Sequence, residues 1–553
     1  MRYPPRDSSE PKSRHDSVTA EAQAAGLAHL ATVAEEQAVA VTRVIPRAHS
    51  LNAYAVPVDD RRIHVPDGRD HDHAGERVPD TLPDCRDTDV LAQGAGAGAA
   101  LASGYEIPRA WYQRRLAPGA VAIAVAASGA GLYRHALFIE SFSGYRLLMA
   151  IWAAAFAFTA LQWVMSWRDK PFVAGELGDH RLAWLKVVVN IPCYNEDPAT
   201  LDRALYAAFT QSRLPDIIEV VDDGSTEDYT TLRAWWQAHH PAGCLFSWVR
   251  QDNGGKKHAQ ANTFTRWPDA DIFVTLDSDT ALEHRAIEEG LKPFADQRVQ
   301  SVAGIELAHN SRVNWLTRTV SARSLFFQVV ACGAQSAFGD ILVNRGAFAL
   351  YRADLIRDIV PAYIGETFLG MPVRLGDDAA LTLFARGRGR AVQQPSAFAF
   401  TMYPEKLSHH LRQWIRWMRG STIRNCWRLR YLPMWSFGWW FTFLGVWFFI
   451  ASTAVTVLTA ATWPVSAAFA ESGGVAMLAW AYLMALRTLC VHRSDESLAF
   501  RLSTVFLYPA AMLWAAFVLR PLRFWGIATY RRQGWTTRQG VEISLGAAKE
   551  AVA

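Results

Sequence analysis

The run from Asp271 to Leu282, DIFVTLDSDTAL, decides the fold. It reads as an apolar strand that ends on two aspartates, Asp277 and Asp279, with one residue between them. Carboxylates at i and i+2 of a strand share a face, and acidic oxygens that converge at an exposed strand end repel unless a cation lies between them. Mg²⁺ or Mn²⁺ takes one or two carboxylates together with phosphate oxygens. The stretch therefore predicts a metal–diphosphate site, in which the ion would neutralise charge building on a leaving diphosphate. Taken alone, a DxD triplet also occurs by chance.

Strands of the same kind surround it. WLKVVVNIP, IIEVVDDGS and SVAGIEL alternate with helical segments between about residues 170 and 435, a pattern that predicts an α/β domain on an open, largely parallel sheet with ligands at the carboxyl ends of the strands. VVVNIPCYNEDPATLDRAL runs from a strand through a Pro-interrupted loop into a helix and delivers Tyr194, Asn195 and Glu196; Tyr194 suits either packing or stacking on a base. IIEVVDDGSTEDY ends in Asp222, Asp223 and Gly224. A carboxylate there can accept from a uracil N–H or a ribose hydroxyl, and an Asp-Gly turn explains the same residues.

Two further motifs follow. In RLGDDAALTLFARG, Asp377 and Asp378 open an apparent helix. A sugar hydroxyl that attacks an anomeric carbon needs a base, and Asp378 is the candidate; helix N-capping is the competing explanation. In HHLRQWIRWMRGS, Gln413, Arg416 and Trp417 stand at helical spacing. Arg can fork onto phosphate oxygens and Trp can face a sugar, while an amphipathic basic helix on a membrane surface accounts for the same pattern.

Apolar stretches flank this domain. A weaker one at about 117–133 and a stronger one at about 147–166 predict a helical hairpin; PRAWYQRR before and WRDK after place both flanks, and the next domain, in the cytosol. Beyond Pro433, apolar stretches recur at about 436–463, 474–490 and 500–519, ahead of the basic RPLRFWGIATYRRQGWTTR. Three crossings would leave that basic tail outside, so either a fourth crossing is hidden or one stretch is interfacial or re-entrant.

The opening 110 or so residues are expected to be a mostly disordered cytosolic tail without a secretory leader, with a possible Ala-rich helix at 18–42 and a charged, Pro-broken stretch at 59–84. Its His71 and His73 pair reads as solvated loop before metal site. With 553 residues, 51% of them hydrophobic, the chain is long enough for a catalytic domain and several spans. Its 22 Trp suit membrane interfaces and sugar faces alike. A net charge of +4 without a basic stripe argues against nucleic acid as a partner. Six cysteines without a CxxC pair (Cys85, Cys193, Cys244, Cys332, Cys426, Cys490) argue against a zinc site or disulfide framework.

The five motifs in this order resemble the family-two glycosyltransferases of GT-A fold, in the processive branch that contains hyaluronan, chitin and cellulose synthases. The branch pattern is DD, DxD, an acidic pair and QxxRW, and the resemblance covers about residues 145–540. It implies a Rossmann-like nucleotide-sugar-binding α/β domain on the cytosolic side, inserted between transmembrane helices (about 111–168 and 436–530). It further implies Tyr194 and Asp222 at uridine, Lys256 of NGGKKHAQ near the diphosphate, and Asp277 and Asp279 at donor and metal. Asp378 would be the base, Asp377 would lie on the acceptor side, and Gln413, Arg416 and Trp417 would frame the pyrophosphate and acceptor pocket. The implied partners are a UDP-sugar, a growing polysaccharide and the lipid bilayer; the implied cofactor is Mg²⁺ or Mn²⁺. GDD in place of TED, and GWTTR, with Trp535–Arg538 like a WGTR tail, resemble hyaluronan and rhizobial chitooligosaccharide synthases and imply UDP-GlcNAc, with or without UDP-GlcA. LVNRGAFALYR departs from that branch, since Asn344, Arg345 and Gly346 replace a Cys- and SGP-containing segment. Rival expectations are glucan synthesis from UDP-Glc, non-processive transfer to a lipid carrier, and a transporter or scaffold with a dead transferase domain. The oligomeric state is not set by these features.

Overall fold

The computed structural model describes residues 105–116, 118–140, 146–462 and 467–534. The expected helix at 18–42, the stretch 59–84 with His71 and His73, and Trp535–Arg538 lie outside the described residues.

A short strand, β1 (Ala110–Tyr112), precedes two apolar helices, α1 (Pro118–Glu140) and α2 (Arg146–Ser166). An α/β domain follows. Its strands are β2 (Val187–Cys193), β3 (Ile217–Asp222), β4 (Leu245–Arg250), β5 (Ile272–Leu276), β6 (Ala281–Leu282), β7 (Val299–Ala308), β8 (Phe348–Arg352) and, after a small hairpin of β9 (Thr367–Phe368) and β10 (Met371–Pro372), β11 (Arg390–Thr401). Eight of them form one sheet in the order β4-β3-β2-β5-β8-β7-β11-β6. The helices that matter for the site are α3 (Pro198–Phe209), α4 (Lys256–Arg266), α5 (Trp315–Phe326), α6 (Asp377–Arg388) and α7 (Leu407–Tyr431).

The sheet centre is built from β-branched residues with helices on its faces. Val187, Val188, Val189 and Ile191 of β2 are fully buried, each contributing about 1.5–3 kcal/mol relative to exposure. Leu201 and Leu205 of α3 pack in the same core. Asp197 caps α3 by accepting from the Thr200 N–H at 3.0 Å, and Pro198 opens the first turn without sacrificing a hydrogen bond.

The sheet is mixed, where the sequence suggested a largely parallel one. β4, β3, β2 and β5 run parallel, but β8 is antiparallel to both β5 and β7, and β6 to β11. The reason lies in the route of the chain: β7 ends at the carboxyl edge, and the excursion through α5 returns to that same edge, so β8 must run backwards. As a consequence Gly346 and Ala347 arrive beside the turn after β5, where the Asp277 N–H donates to the Ala347 carbonyl at 3.3 Å.

After α7 come α8 (Phe437–Thr462), α9 (Ala467–Ala485), strand β12 (Val491–Arg493) and a long helix, α10 (Leu498–Ala528), with a π-helical stretch at Ala515–Leu519. Among the described residues four stretches, Pro118–Leu137, Phe437–Leu458, Gly473–Cys490 and Leu498–Ala528, are long and apolar enough to cross a membrane, and Ala150–Ser166 of α2 is a shorter apolar one. α1 packs on α9, where Ser128 Oγ donates to the Ala479 carbonyl at 2.9 Å. α2 meets α8 through Phe158, whose ring lies 5.4 Å from those of Phe441 and Phe448.

The stretch expected at 500–519 belongs to α10, and both ends of α10 are fastened to the α/β domain. Just before it, Arg312 donates to the Asp495 carbonyl, and in its first turn Phe500 lies under the Arg318 guanidinium at 4.3 Å. Midway, Trp414 Nε1 donates to the Leu519 carbonyl at 3.0 Å; past its end, Arg419 Nε donates to Thr529 Oγ1 at 3.1 Å. A helix held at start, middle and end by one domain lies along that domain. The chain arrives there through β12, which pairs with β1 while Arg493 Nη1 donates to the Ala308 carbonyl at the end of β7, 2.7 Å away.

Candidate active site

Because β2, β3 and β5 are parallel, the residues that follow them emerge on one edge. Tyr194 stands just past β2 with 38% of its surface exposed. The loop around it is held by Asn195, at φ 48°, whose N–H donates to Ser225 Oγ at 2.9 Å and whose Oδ1 accepts from the Thr226 N–H at 2.7 Å. The β2 and β3 loops are thus joined beneath the exposed ring.

Asp222 and Asp223 have separate tasks. Asp222 is buried; it accepts from the Ser225 N–H at 2.9 Å and from Arg250 Nη1 at 2.8 Å. Asp223 accepts from Gln251 Nε2 at 2.8 Å and from the N–H groups of Gly254 and Gly255 at 2.9 and 2.8 Å. Its carboxylate therefore braces the glycine loop that leads into α4. Gly224, at φ 76°, makes the turn that an Asp-Gly pair suggests, so the turn and the buried carboxylate coexist.

Asp277 and Asp279 lie in the turn beyond β5, which ends at Leu276. The expectation that they share a strand face is corrected: the chain leaves the sheet before Asp277, and the Thr280 N–H closes the turn onto the Asp277 carbonyl at 3.0 Å. Thr401 Oγ1, at the end of β11, donates to Asp279 Oδ1 at 3.2 Å, and the buried Arg203 of α3 donates through Nη2 to the Asp279 carbonyl at 3.2 Å. Arg203, Arg250 and Thr401 are site neighbours that carried no motif in the sequence; each reaches the site from a different element.

Lys256 joins the two acidic turns. Its Nζ stands 2.5 Å from Asp277 Oδ1 and 3.2 Å from Asp377 Oδ2. Burial alone would lower its pKa, but the charges of Asp277, Asp377 and Asp378 outweigh burial and raise it, so the ammonium is firmly protonated. Burial, and then the Asp279 charge, push Asp277 up to about 6 despite Lys256. Asp378 is also pushed to about 6, by burial and then by the Asp377 charge. Asp377 is held below the ordinary carboxylate range because Lys256 more than reverses the effect of burial.

The N-capping explanation for Asp378 does not hold. Gly376, at φ 75°, occupies the cap, and Asp377 and Asp378 form the first turn of α6, with Asp378 Oδ1 accepting from the Ala379 N–H at 2.7 Å. Gly346 backs onto this centre: a β-carbon there would stand 3.1 Å from Lys256 Nζ and 3.6 Å from Asp378 Cβ. Neighbouring Arg345 turns away to Glu306 at 3.2 Å.

Gln413, Arg416 and Trp417 lie on α7. Trp417 is 41% exposed and packs edge-on against Trp414, while Gln413 Oε1 is buried without a hydrogen-bond partner among the described residues. On the preceding turn His410 is fully buried, with both ring nitrogens equally unpartnered.

Comparisons with known proteins give the family. The family model described as "Glycosyltransferase like family 2" matches residues 185–420, which span the site from β2 into α7. The chain is 32% identical over 365 residues to a hyaluronan synthase of Streptococcus pyogenes, covering 65% of this chain and 84% of that protein. It is 34% identical over 260 residues to an N-acetylglucosaminyltransferase of Azorhizobium caulinodans, covering 46% of this chain and 64% of that protein. Among solved structures, a mannosyltransferase of Pyrobaculum calidifontis in complex with GDP-Man and Mn²⁺ aligns with a TM-score of 0.41 and 19% identity, over 70% of this chain and 98% of that one. With a hyaluronan synthase matched over most of its length and the glycosyltransferase model lying on the site itself, this chain belongs to the family-two glycosyltransferases and is an enzyme of that family.

Proposed function

We propose that the protein is a membrane-embedded processive synthase that transfers a GlcNAc-type sugar from a UDP donor, with inversion, onto a growing β-linked polysaccharide. The observation that carries this reading is the reach of Lys256 to both Asp277 and Asp377. One ammonium ties the turn suited to a donor diphosphate to the turn bearing the candidate base, so the two turns lie within reach of one side chain.

Tyr194 and Asp222 are assigned to the uridine, and Lys256 to the diphosphate. Two carboxylates with hard oxygens, Asp277 and Asp279, fit Mg²⁺ or Mn²⁺. Among the described residues no group of three or more His, Cys, Asp or Glu side chains could hold a metal, so the remaining ligands would be substrate oxygens and water. Such an ion, when bound, would neutralise charge on the departing diphosphate. Asp378 accepts the proton of the acceptor hydroxyl as that oxygen attacks the anomeric carbon from the face opposite UDP, which converts an α-linked donor into a β-linkage. Asp377, kept ionised by Lys256, holds the acceptor side, and Gln413, Arg416 and Trp417 offer hydrogen bonds and a flat ring to sugar and pyrophosphate.

In this reading α1 with α2, and α8 with α9, cross the bilayer as two hairpins, and α10 lies at the interface. The catalytic domain and the basic residues after α10 then share the cytosolic side, in keeping with the positive-inside rule. The number of crossings in this reading is even. The fit to a synthase over transfer to a lipid carrier is supported by α7, which carries Gln413, Arg416 and Trp417 and meets the turn before Asp377 at Gly420, and by the hyaluronan synthase relative.

The test is to supply membranes containing the protein with UDP-GlcNAc, UDP-GlcA and UDP-Glc, singly and in pairs, with and without Mg²⁺ or Mn²⁺, and to size the products. Polymer that requires UDP-GlcNAc and metal is expected. Consumption that yields only a singly glycosylated lipid overturns the reading.

A further inference from the structure

Behind the two acidic turns lies a second charge cluster that no motif announces. Glu366, in the loop ahead of β9, is buried and faces two cations. Arg424 of α7, fully buried, donates through Nη1 to Glu366 Oε1 at 2.6 Å and through Nη2 to Oε2 at 2.7 Å. Lys257, the residue after Lys256, also pairs with Glu366 Oε2. A two-pronged Arg–carboxylate pair fixes geometry as well as charge.

The same cations grip the backbone that leads to Asp377. Lys257 Nζ donates to the Val373 carbonyl at 2.9 Å, and Arg424 Nη2 to the Leu375 carbonyl at 3.3 Å. The Val373 N–H returns to the Glu366 carbonyl at 2.9 Å. Directly above, α7 comes so close to the turn that a β-carbon on Gly420 would stand 3.5 Å from the Gly376 nitrogen, and one on Gly376 3.5 Å from Arg424 Nε. A single carboxylate therefore joins the start of α4, the turn before α6 and the helix that carries Gln413, Arg416 and Trp417.

We propose that Glu366, acting through Lys257 and Arg424, is a positioning residue for the transfer reaction: it sets the Gly376–Asp378 turn against both Lys256 and α7. A buried charge triad adds little stability over well-packed apolar residues of similar volume, whereas removal of one partner strands the others. Here the stranded groups would be the two cations that also hold the Val373 and Leu375 carbonyls, in the stretch that leads to Asp377. The inference rests on the assignment of Asp378 as base.

The test is turnover per UDP-binding site, measured in membranes, because it separates placement from folding: the sites assigned to uridine hang on β2 and β3, away from Glu366. For Glu366→Gln we expect the UDP dissociation constant to stay within about twofold while turnover per site falls at least about tenfold, as expected when reacting groups move by less than an ångström. Arg424→Lys retains the charge and loses the fork, and the same fall is expected, which also decides the matter should Glu366→Gln not accumulate. Fewer UDP sites with unchanged turnover per site in either variant would mean a purely stabilising role and would overturn the proposal. Wild-type membranes that bind UDP yet polymerise no UDP-sugar would overturn the proposed function instead.

Discussion

A β-carbon on Gly346 would stand 3.1 Å from the ammonium nitrogen of Lys256, which is itself pinned by Asp277 at 2.5 Å and Asp377 at 3.2 Å. The ammonium has carboxylates on two sides and cannot retreat without breaking an ion pair. Gly346→Ala is expected to shift Lys256 by a few tenths of an ångström and to lower turnover roughly tenfold. UDP affinity should fall only through the diphosphate that Lys256 is assigned to hold, because Tyr194 and Asp222, assigned to the uridine, sit on other loops. Steady-state kinetics beside UDP binding would check this, and unchanged turnover would show that Lys256 has more freedom than the distances imply.

Asp378→Asn removes the proposed base and retains size. Loss of general-base catalysis costs about 10²–10⁴-fold in turnover, with UDP binding retained within about twofold. Polymer formation at more than a tenth of the wild-type rate would remove Asp378 from the role assigned to it, and Asp377→Asn, made in parallel, would show which of the two carboxylates carries the effect.

The pH dependence follows from the same group. Burial and the Asp377 charge push Asp378 up to about 6, and a base works only when deprotonated. Turnover should therefore be full above that value and be lost as pH falls through about 6, where an ordinary aspartate would sustain it to about 4. The profile should be recorded at saturating donor and metal. An acid limb near 4 would mean that the carboxyl is less desolvated during turnover than in this structure.

Asp223 shows what the sequence could and could not convey. The acidic strand ends were legible because a strand that stops on a carboxylate is a local pattern, and the structure brings the β2, β3 and β5 ends to one edge. What the second aspartate of the pair does was not legible, since its partners, Gln251, Gly254 and Gly255, come from a loop some thirty residues away. The same holds for Glu366 and Arg424, 58 positions apart, and for the reversal of β8, which depends on where an intervening excursion returns. Periodicity reports faces of single elements; ion pairs between elements leave no trace in it. Asp223→Ala removes three hydrogen bonds to a carboxylate and is expected to cost about 2–4 kcal/mol, seen as a lower unfolding temperature and a weakened donor KM as the Lys256 loop loosens. A variant with wild-type stability would show that the glycine loop is braced elsewhere.

The path of α10 makes a prediction about the membrane. Asp495 before it and Thr529 after it both bond to the α/β domain, through Arg312 and Arg419. Both ends should then lie on the same face of the bilayer as Asp277, although α10 is long and apolar enough to cross. Ser494→Cys and Arg531→Cys, made singly in a background where Cys85 and Cys426 are replaced, should react with a membrane-impermeant maleimide only when the face that exposes the catalytic domain is accessible. A helix that lies flat must bury one face against protein or lipid while its charged residues find partners, and Arg520 does so by donating to Ser452 Oγ and Thr453 Oγ1 of α8, each 3.1 Å away. Arg520→Leu should therefore loosen α10 from α8 without altering UDP binding. Labelling of the two cysteines from opposite faces would make α10 a crossing, and Thr529 would then lie across the bilayer from the domain it contacts here.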